Sequence, residues 1–133
     1  MITSVNKTLL HTCDLKIGKF YFYKNFVISE IKESAVVAFE EAEKLFEFCN
    51  YYYGKKTPFV YLAHRINSYS FVPTDHFKST NLFPNLKGYG VIVYTVTQKR
   101  TAELEKSFMN KKMKIFENLN EAIQWADSLT LCD

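Results

Sequence analysis

Phe59–Asp75 reads FVYLAHRINSYSFVPTD, and the fold turns on how that stretch divides. Its first five residues, Phe59-Val60-Tyr61-Leu62-Ala63, form an unbroken apolar run behind Pro58. Such a run suits a strand covered on both faces, as in parallel sheets with helices on either side. A polar stretch follows at once: His64, Arg65, Asn67, Ser68, Tyr69, Ser70, Thr74 and Asp75. In open α/β sheets, ligands and partners meet the loops at the carboxyl ends of strands. This loop is therefore the expected working surface.

Upstream, Lys16–Tyr23 and Asn25–Lys32 are strand-like runs joined at Lys24-Asn25, which predicts an antiparallel hairpin. In Phe39–Tyr53, Phe39, Ala42, Phe46, Cys49 and Tyr53 recur at three- and four-residue steps with Leu45 beside them. That is a helical apolar stripe, with Glu40, Glu43, Lys44 and Glu47 on its outer face. Gly54 is placed to end it in a left-handed conformation. Downstream, Thr74 is positioned to cap a short helix over Asp75–Leu82 that Pro84 stops. Tyr89–Val96, YGVIVYTV, predicts a central strand. Gln98–Met109 predicts a helix with Leu104 and Phe108 on its inner side, and Lys114–Phe116 a short strand. Asn118 with Glu121 three residues on is a capping-box pattern. It opens a last helix burying Leu119, Ala122, Ile123, Ala126 and Leu129. The order β-β-α-β-α-β-α-β-α predicts one α/β domain over residues 15–133, after an extension over 1–14. Its sheet is mainly parallel, with the leading hairpin as an antiparallel edge.

The 133 residues are enough for one domain with its own core, and 47% apolar and 23% charged residues are ordinary for a globular protein. Twelve Phe and nine Tyr are an excess, pointing either to a core filled with large rings or to an aromatic-lined cavity. Cys13, Cys49 and Cys132 form no CxxC pair, so zinc ribbons and thioredoxin-type redox motifs gain no support, and a reduced, cytoplasmic compartment is expected. The amino terminus lacks the apolar core of a signal peptide, and no stretch approaches a membrane span. Net charge runs from −1 over residues 1–50 to +7 over 51–112 and −3 over 113–133. No basic block of five or six residues stands out in the middle segment, which reads as scattered solvated lysines.

Lys114-Ile115-Phe116-Glu117-Asn118-Leu119-Asn120-Glu121-Ala122, with the strand order and the polar loop after the third strand, resembles STAS-like domains. These are small α/β modules named after sulfate transporters and anti-sigma-factor antagonists. Gly18-Lys19-Phe20-Tyr21, Ile28-Ser29-Glu30-Ile31-Lys32-Glu33 and Arg65-Ile66-Asn67-Ser68-Tyr69-Ser70 look like a poorly characterised bacterial branch of that group. The resemblance covers about residues 15–130 and implies a regulatory or adaptor domain without enzymatic activity. In the anti-sigma antagonists, a serine opening the helix after the third strand is phosphorylated; Ser68, Ser70 and Thr74 fall in that region. The usual Asp-Ser-Ser/Thr-Gly-like segment is replaced here by Arg65-Ile66-Asn67-Ser68-Tyr69.

Other chemistries find little footing. His64, His76 and Asp75 are metal-ligand types in no known ligand spacing, and a Ser–His–acid triad from Ser68 or Ser70 would lack a GxSxG elbow. Gly88-Tyr89-Gly90 precedes a strand, not a helix, so no phosphate-cradling loop is present and no cofactor is expected. Tyr51-Tyr52-Tyr53 could suggest base stacking, but successive helical residues point about 100° apart, so the three rings cannot form one platform. Nucleic acid is not favoured. The expected function is docking of a protein partner through Arg65, Asn67, Ser68, Tyr69, Ser70 and Asp75. Phosphorylation at Ser68, Ser70 or Thr74 would act by adding charge there. The alternative is a module holding a small apolar or lipid-like ligand in an aromatic-lined cavity beside the same loop. A third class is an enzyme using His64 or His76 with Asp75, which would require a histidine in a cleft beside a carboxylate.

Overall fold

Side-chain alternation along Phe59–His64 divides the molecule into two packed layers. The computed structural model describes residues 7–37, 42–67, 69–71, 82–109 and 111–130. Phe59, Tyr61 and Ala63 face one side of the sheet, Val60 and Leu62 the other, as a strand buried on both faces requires. The strands are β1 (His11–Leu15), β2 (Gly18–Phe22), β3 (Phe26–Ile31), β4 (Val36–Val37), β5 (Phe59–His64), β6 (Ser70–Phe71), β7 (Leu86–Ile92) and β8 (Met113–Phe116). The helices among the described residues are α1 (Glu43–Tyr53), α2 (Val96–Lys106) and α3 (Leu119–Thr130).

Six strands form the main sheet in the order β1-β2-β3-β5-β7-β8. The first two pairings are antiparallel and the last three parallel. The hairpin around Lys24-Asn25 joins β2 to β3, closed by Tyr23 N donating to Phe26 O at 2.8 Å. β4 and β6 form a separate two-stranded parallel ribbon. On one side of the sheet, α3 buries Ala122, Ile123 and Ala126 against Phe26, Ile28, Val60, Leu62 and Ile92. Its close approach depends on two glycines within β7. A Cβ on Gly88 would fall 2.7 Å from Leu129 Cδ1, and one on Gly90 3.3 Å from Trp125 Cζ3, both on α3. On the other side, α1 buries Leu45, Cys49 and Tyr53 against Phe20, Phe22, Val27 and Phe59. α2 sits further along that side, with Ala102 against Ala63, Tyr89, Val91 and Val93.

Gly54 ends α1 with φ +58° and ψ −139°, a conformation open to glycine, and its N–H reaches Asn50 O. Asn118 Oδ1 accepts from Glu121 N at 3.2 Å at the start of α3, as the capping pattern predicts. Three sequence expectations shift. β1 is an additional strand and crosses the boundary drawn at residue 14. Of its five residues only Cys13 is buried, so it is held by its five-residue register with β2 and its own composition does not announce it. β7 ends at Ile92, earlier than the YGVIVYTV run, because a capping box starts α2 there. Thr95 Oγ1 accepts from Gln98 N, and Gln98 Oε1 accepts from Thr95 N. α2 is also rotated from the expected face: Leu104 is 56% exposed, whereas Glu105 is fully buried. Phe39 and, apart from Leu82, the helix expected over Asp75–Leu82 lie outside the described residues.

Candidate functional site

The pleat of β5 sends the adjacent His64 and Arg65 to opposite faces of the sheet. His64 closes the α3 side, where its Nδ1 lies 3.2 Å from Glu30 Oε2 and its Nε2 2.6 Å from Tyr94 Oη. Arg65 continues the Phe59-Tyr61-Ala63 face and runs beneath α2. It is 4% exposed, and its Nη1 pairs with Glu105 Oε1 at 2.5 Å. Arg65 Nε donates to Tyr69 Oη at 3.0 Å, and Nη2 lies 3.5 Å from Tyr89 Oη, a longer contact. The guanidinium also stands 5.5 Å from the centroid of the Tyr69 ring. The buried ion pair explains the rotation of α2: a guanidinium inside the fold must be matched by a carboxylate, and Glu105 takes the inward position.

The loop is pinned at two further points. Asn67 Nδ2 donates to Ile31 O at the end of β3, at 2.9 Å. Gln98 Nε2 donates to Arg65 O at 2.9 Å, while Gln98 Oε1 accepts from Tyr94 N. Gln98, the partner of Thr95 in the α2 capping box, thus also ties the β5 loop to the end of β7.

Between α1 and this side of the sheet lies a cavity of about 110 Å³. Leu45, Phe46 and Cys49 of α1 form one wall, Phe59, Phe83 and Leu86 another, and Tyr61, Tyr69, Tyr89 and Arg65 the polar end. Tyr61 and Tyr89, paired in register across β5 and β7, stack with ring centroids 5.3 Å apart. A second, polar recess is lined by Arg65, Asn67, Tyr69, Thr95, Thr97, Gln98 and Thr101. Arg65 and Tyr69 belong to both and form the partition between them.

Burial holds the Tyr61, Tyr69 and Tyr89 hydroxyls above the ordinary phenol range, and at Tyr89 the Glu105 carboxylate adds to the effect. These are neutral groups able both to donate and to accept. Burial works against the Arg65 charge, but Tyr89, Tyr69 and Glu105 more than offset it, so the guanidinium stays charged. The Cys49 thiol is pushed up to about 12 by burial. It is therefore protonated at neutral pH and a poor nucleophile.

Of the residues expected at the working surface, the structure brings together Arg65, Asn67 and Tyr69. Ser68, Thr74, Asp75 and His76 lie outside the described residues, and Ser70 enters only as a backbone position paired with Val36 in β6. Glu105, Tyr61, Tyr89 and Gln98 belong to the same cluster and were not singled out in the sequence. For Gln98 and Glu105 the only signal was the 98-101-102-105 spacing along α2, which reads as a solvated face until Arg65 is known to be buried; Tyr61 and Tyr89 were legible only as strand residues. His64 does lie beside a carboxylate, that of Glu30, but it lines neither recess. The three consecutive tyrosines diverge as helical geometry requires. Tyr51 is 80% exposed, Tyr52 stacks on Phe22, and buried Tyr53 donates to Tyr23 O.

No protein-family model and no curated protein matches the sequence. Among solved structures, the chain is similar to an uncharacterised protein of the DUF3478 family from Shewanella loihica PV-4, described as having a SpoIIAA-like fold. The two share 16% identity over 90% of this chain and 92% of that one, with a TM-score of 0.53. The fold is STAS-like. The three-stranded antiparallel start, the parallel β5-β7-β8 run and helices on both faces are that architecture. No helix among the described residues is long and apolar enough to cross a membrane.

Proposed function

We propose that this STAS-like domain is a non-enzymatic binding module whose α1-side cavity holds a small, largely apolar ligand. The observation that supports this most directly is the aromatic cavity itself, closed at one end by Arg65, Tyr69, Tyr61 and Tyr89. Binding sites for small molecules are typically apolar hollows with a few convergent polar groups that fix orientation. The groups lining it favour holding over reacting: the Cys49 thiol is protonated, the phenols are neutral, and Arg65 is committed to Glu105. Native mass spectrometry on protein purified from its own source tests the reading. A co-purifying small mass that disappears in a cavity-filling Cys49→Phe variant is expected. A clean apo mass, with no mass retained under gentle desolvation, would count against it.

Docking of a protein partner stands as a second reading, favoured by a separate observation. Ile66, Tyr94 and Val96 are large apolar side chains left exposed just beyond the carboxyl ends of β5 and β7. On this reading the contact is made by Ile66 and its neighbours, and phosphorylation at Ser68, Ser70 or Thr74 would modulate it through added charge. Arg65 is too deeply buried to serve as the contact, so the informative variant is Ile66→Asp. A partner captured by the wild type and retained by Ile66→Asp would argue against this edge as the docking surface.

A further inference from the structure

Away from the cavity, polar side chains converge at the carboxyl ends of three parallel strands. Glu30 lies near the end of β3, His64 is the last residue of β5, and Tyr94 follows β7. His64 Nδ1 is 3.2 Å from Glu30 Oε2, and its Nε2 is 2.6 Å from Tyr94 Oη. Tyr21 Oη donates to the other Glu30 oxygen at 3.4 Å. These contacts fix where the protons sit. A carboxylate only accepts, so Nδ1 carries the imidazole hydrogen toward Glu30, and the Nε2 lone pair accepts from the Tyr94 hydroxyl. Carboxylate, imidazole and hydroxyl thus stand in the order that activates a nucleophile, here with a phenol as the hydroxyl.

Burial decides which end of this chain of contacts can react. The His64 and Glu30 side chains are 3% and 10% exposed, whereas Tyr94 is 54% exposed. The base is shielded and the phenol reaches solvent. Partial burial and the Glu30 charge hold the Tyr94 hydroxyl above the ordinary phenol range, so its attack on an electrophile needs a base at hand. The leaving group narrows the electrophile. Thiols ionise near about 8.5 and phenols near about 10, so a thiolate leaves a tetrahedral intermediate more readily than a phenolate does. An alkoxide, more basic than either, does not. Ile66 and Val96 expose apolar side chains just beyond the same strand ends, surface suited to a short acyl chain.

We propose that Tyr94 is a covalent acceptor site, whose hydroxyl, with His64 as general base, takes the acyl group of a short-chain thioester. Tyr94 Oη bonds to the acyl carbon, the carbon–sulfur bond breaks, and the Oη proton passes to His64 Nε2 and on to the departing thiolate. Glu30 is a positioning residue that keeps the imidazole in its accepting tautomer. The site is separate from the cavity, since neither His64 nor Tyr94 lines it. The transfer marks the module once and needs no turnover.

The test incubates the full chain with the butyryl thioester of N-acetylcysteamine and locates butyryl groups by peptide mass spectrometry. Tyr51, 80% exposed on α1, is the internal standard for an ordinary surface phenol. Tyr94 should be butyrylated at least about a hundredfold faster than Tyr51, and ethyl butyrate should label neither. His64→Gln should remove that advantage while leaving the Tyr51 rate unchanged. With rising pH, the wild-type Tyr94 rate should level off below the phenol range of about 10, once the imidazole is neutral. In Glu30→Gln the plateau should give way to the steady rise followed by Tyr51. Equal labelling of Tyr94 and Tyr51 in the wild type would overturn the proposal, as would an undiminished Tyr94 rate in folded His64→Gln. Should both variants fail to fold, the wild-type ratio of Tyr94 to Tyr51 decides alone. None of these outcomes bears on the cavity reading.

Discussion

Arg65 and Glu105 are 40 positions apart in sequence and share one buried ion pair. Removing one partner leaves the other charge uncompensated in the interior, so Arg65→Met should lower unfolding free energy by about 3–5 kcal/mol. Replacing both, as Arg65→Met with Glu105→Leu, should recover most of that, since apolar side chains of similar volume can substitute for a buried pair. Urea denaturation of the three proteins checks this, and a single variant as stable as wild type would show that the pair is not held inside. Arg65 was legible in the sequence as a residue of interest. Its role was not, because a guanidinium after a strand reads equally as a surface fork or a buried one. Nothing short of α2 packing beside β5 supplies the carboxylate that decides between them.

Among the elements, α2 was the helix the sequence described least well. Its hydrophobic spacing points to Leu104 as an inner residue, but the helix turns Gln98, Ala102 and Glu105 toward the loop and sheet. Leu104→Glu should therefore change stability by no more than about 0.5 kcal/mol, as surface substitutions do. Leu45→Ala, on the buried side of α1, should cost about 2–5 kcal/mol. Equal effects in thermal or urea unfolding would contradict the rotation of α2. α1 and α3 were legible because their inner faces are apolar at regular spacing and carry no charge that must be matched. At β7, Gly88→Ala forces Leu129 and Trp125 to give way and meets Lys112 O at 3.3 Å. A loss of about 1–3 kcal/mol is expected from such overpacking, and wild-type stability in this variant would mean that α3 does not press on β7 as described.

For the whole molecule, buried acids that stay protonated set the response to alkali. Cys49 is pushed up to about 12 by burial, and Tyr53, Tyr61, Tyr69 and Tyr89 are also raised, burial being the largest cause at each. The unfolded chain gives up these protons first, near the ordinary thiol and phenol values of about 8.5 and 10. The native state thus binds more protons than the unfolded one above those values, and its stability falls as pH rises. The urea midpoint should be level from neutral pH to about 8.5, then decline steadily toward pH 12. The 295 nm absorbance of these four tyrosines should rise only as the far-UV circular dichroism is lost. Complete tyrosine ionisation in a still-folded protein would refute their burial.

The sequence by itself determined the layered α/β architecture. The apolar run of β5, the stripes of α1 and α3, the Lys24-Asn25 turn and the Asn118 cap are local patterns, and local patterns suffice where each element's own periodicity names its buried face. It also marked the loop after β5. Only the tertiary structure decided that Arg65 points inward onto Glu105, that His64 belongs to the opposite face, and that Tyr61 and Tyr89 complete the cavity's polar end. Those facts depend on strand register and helix rotation, which bring together residues from β5, β7 and α2. A buried charge is stable only beside a partner that the linear chain does not place next to it.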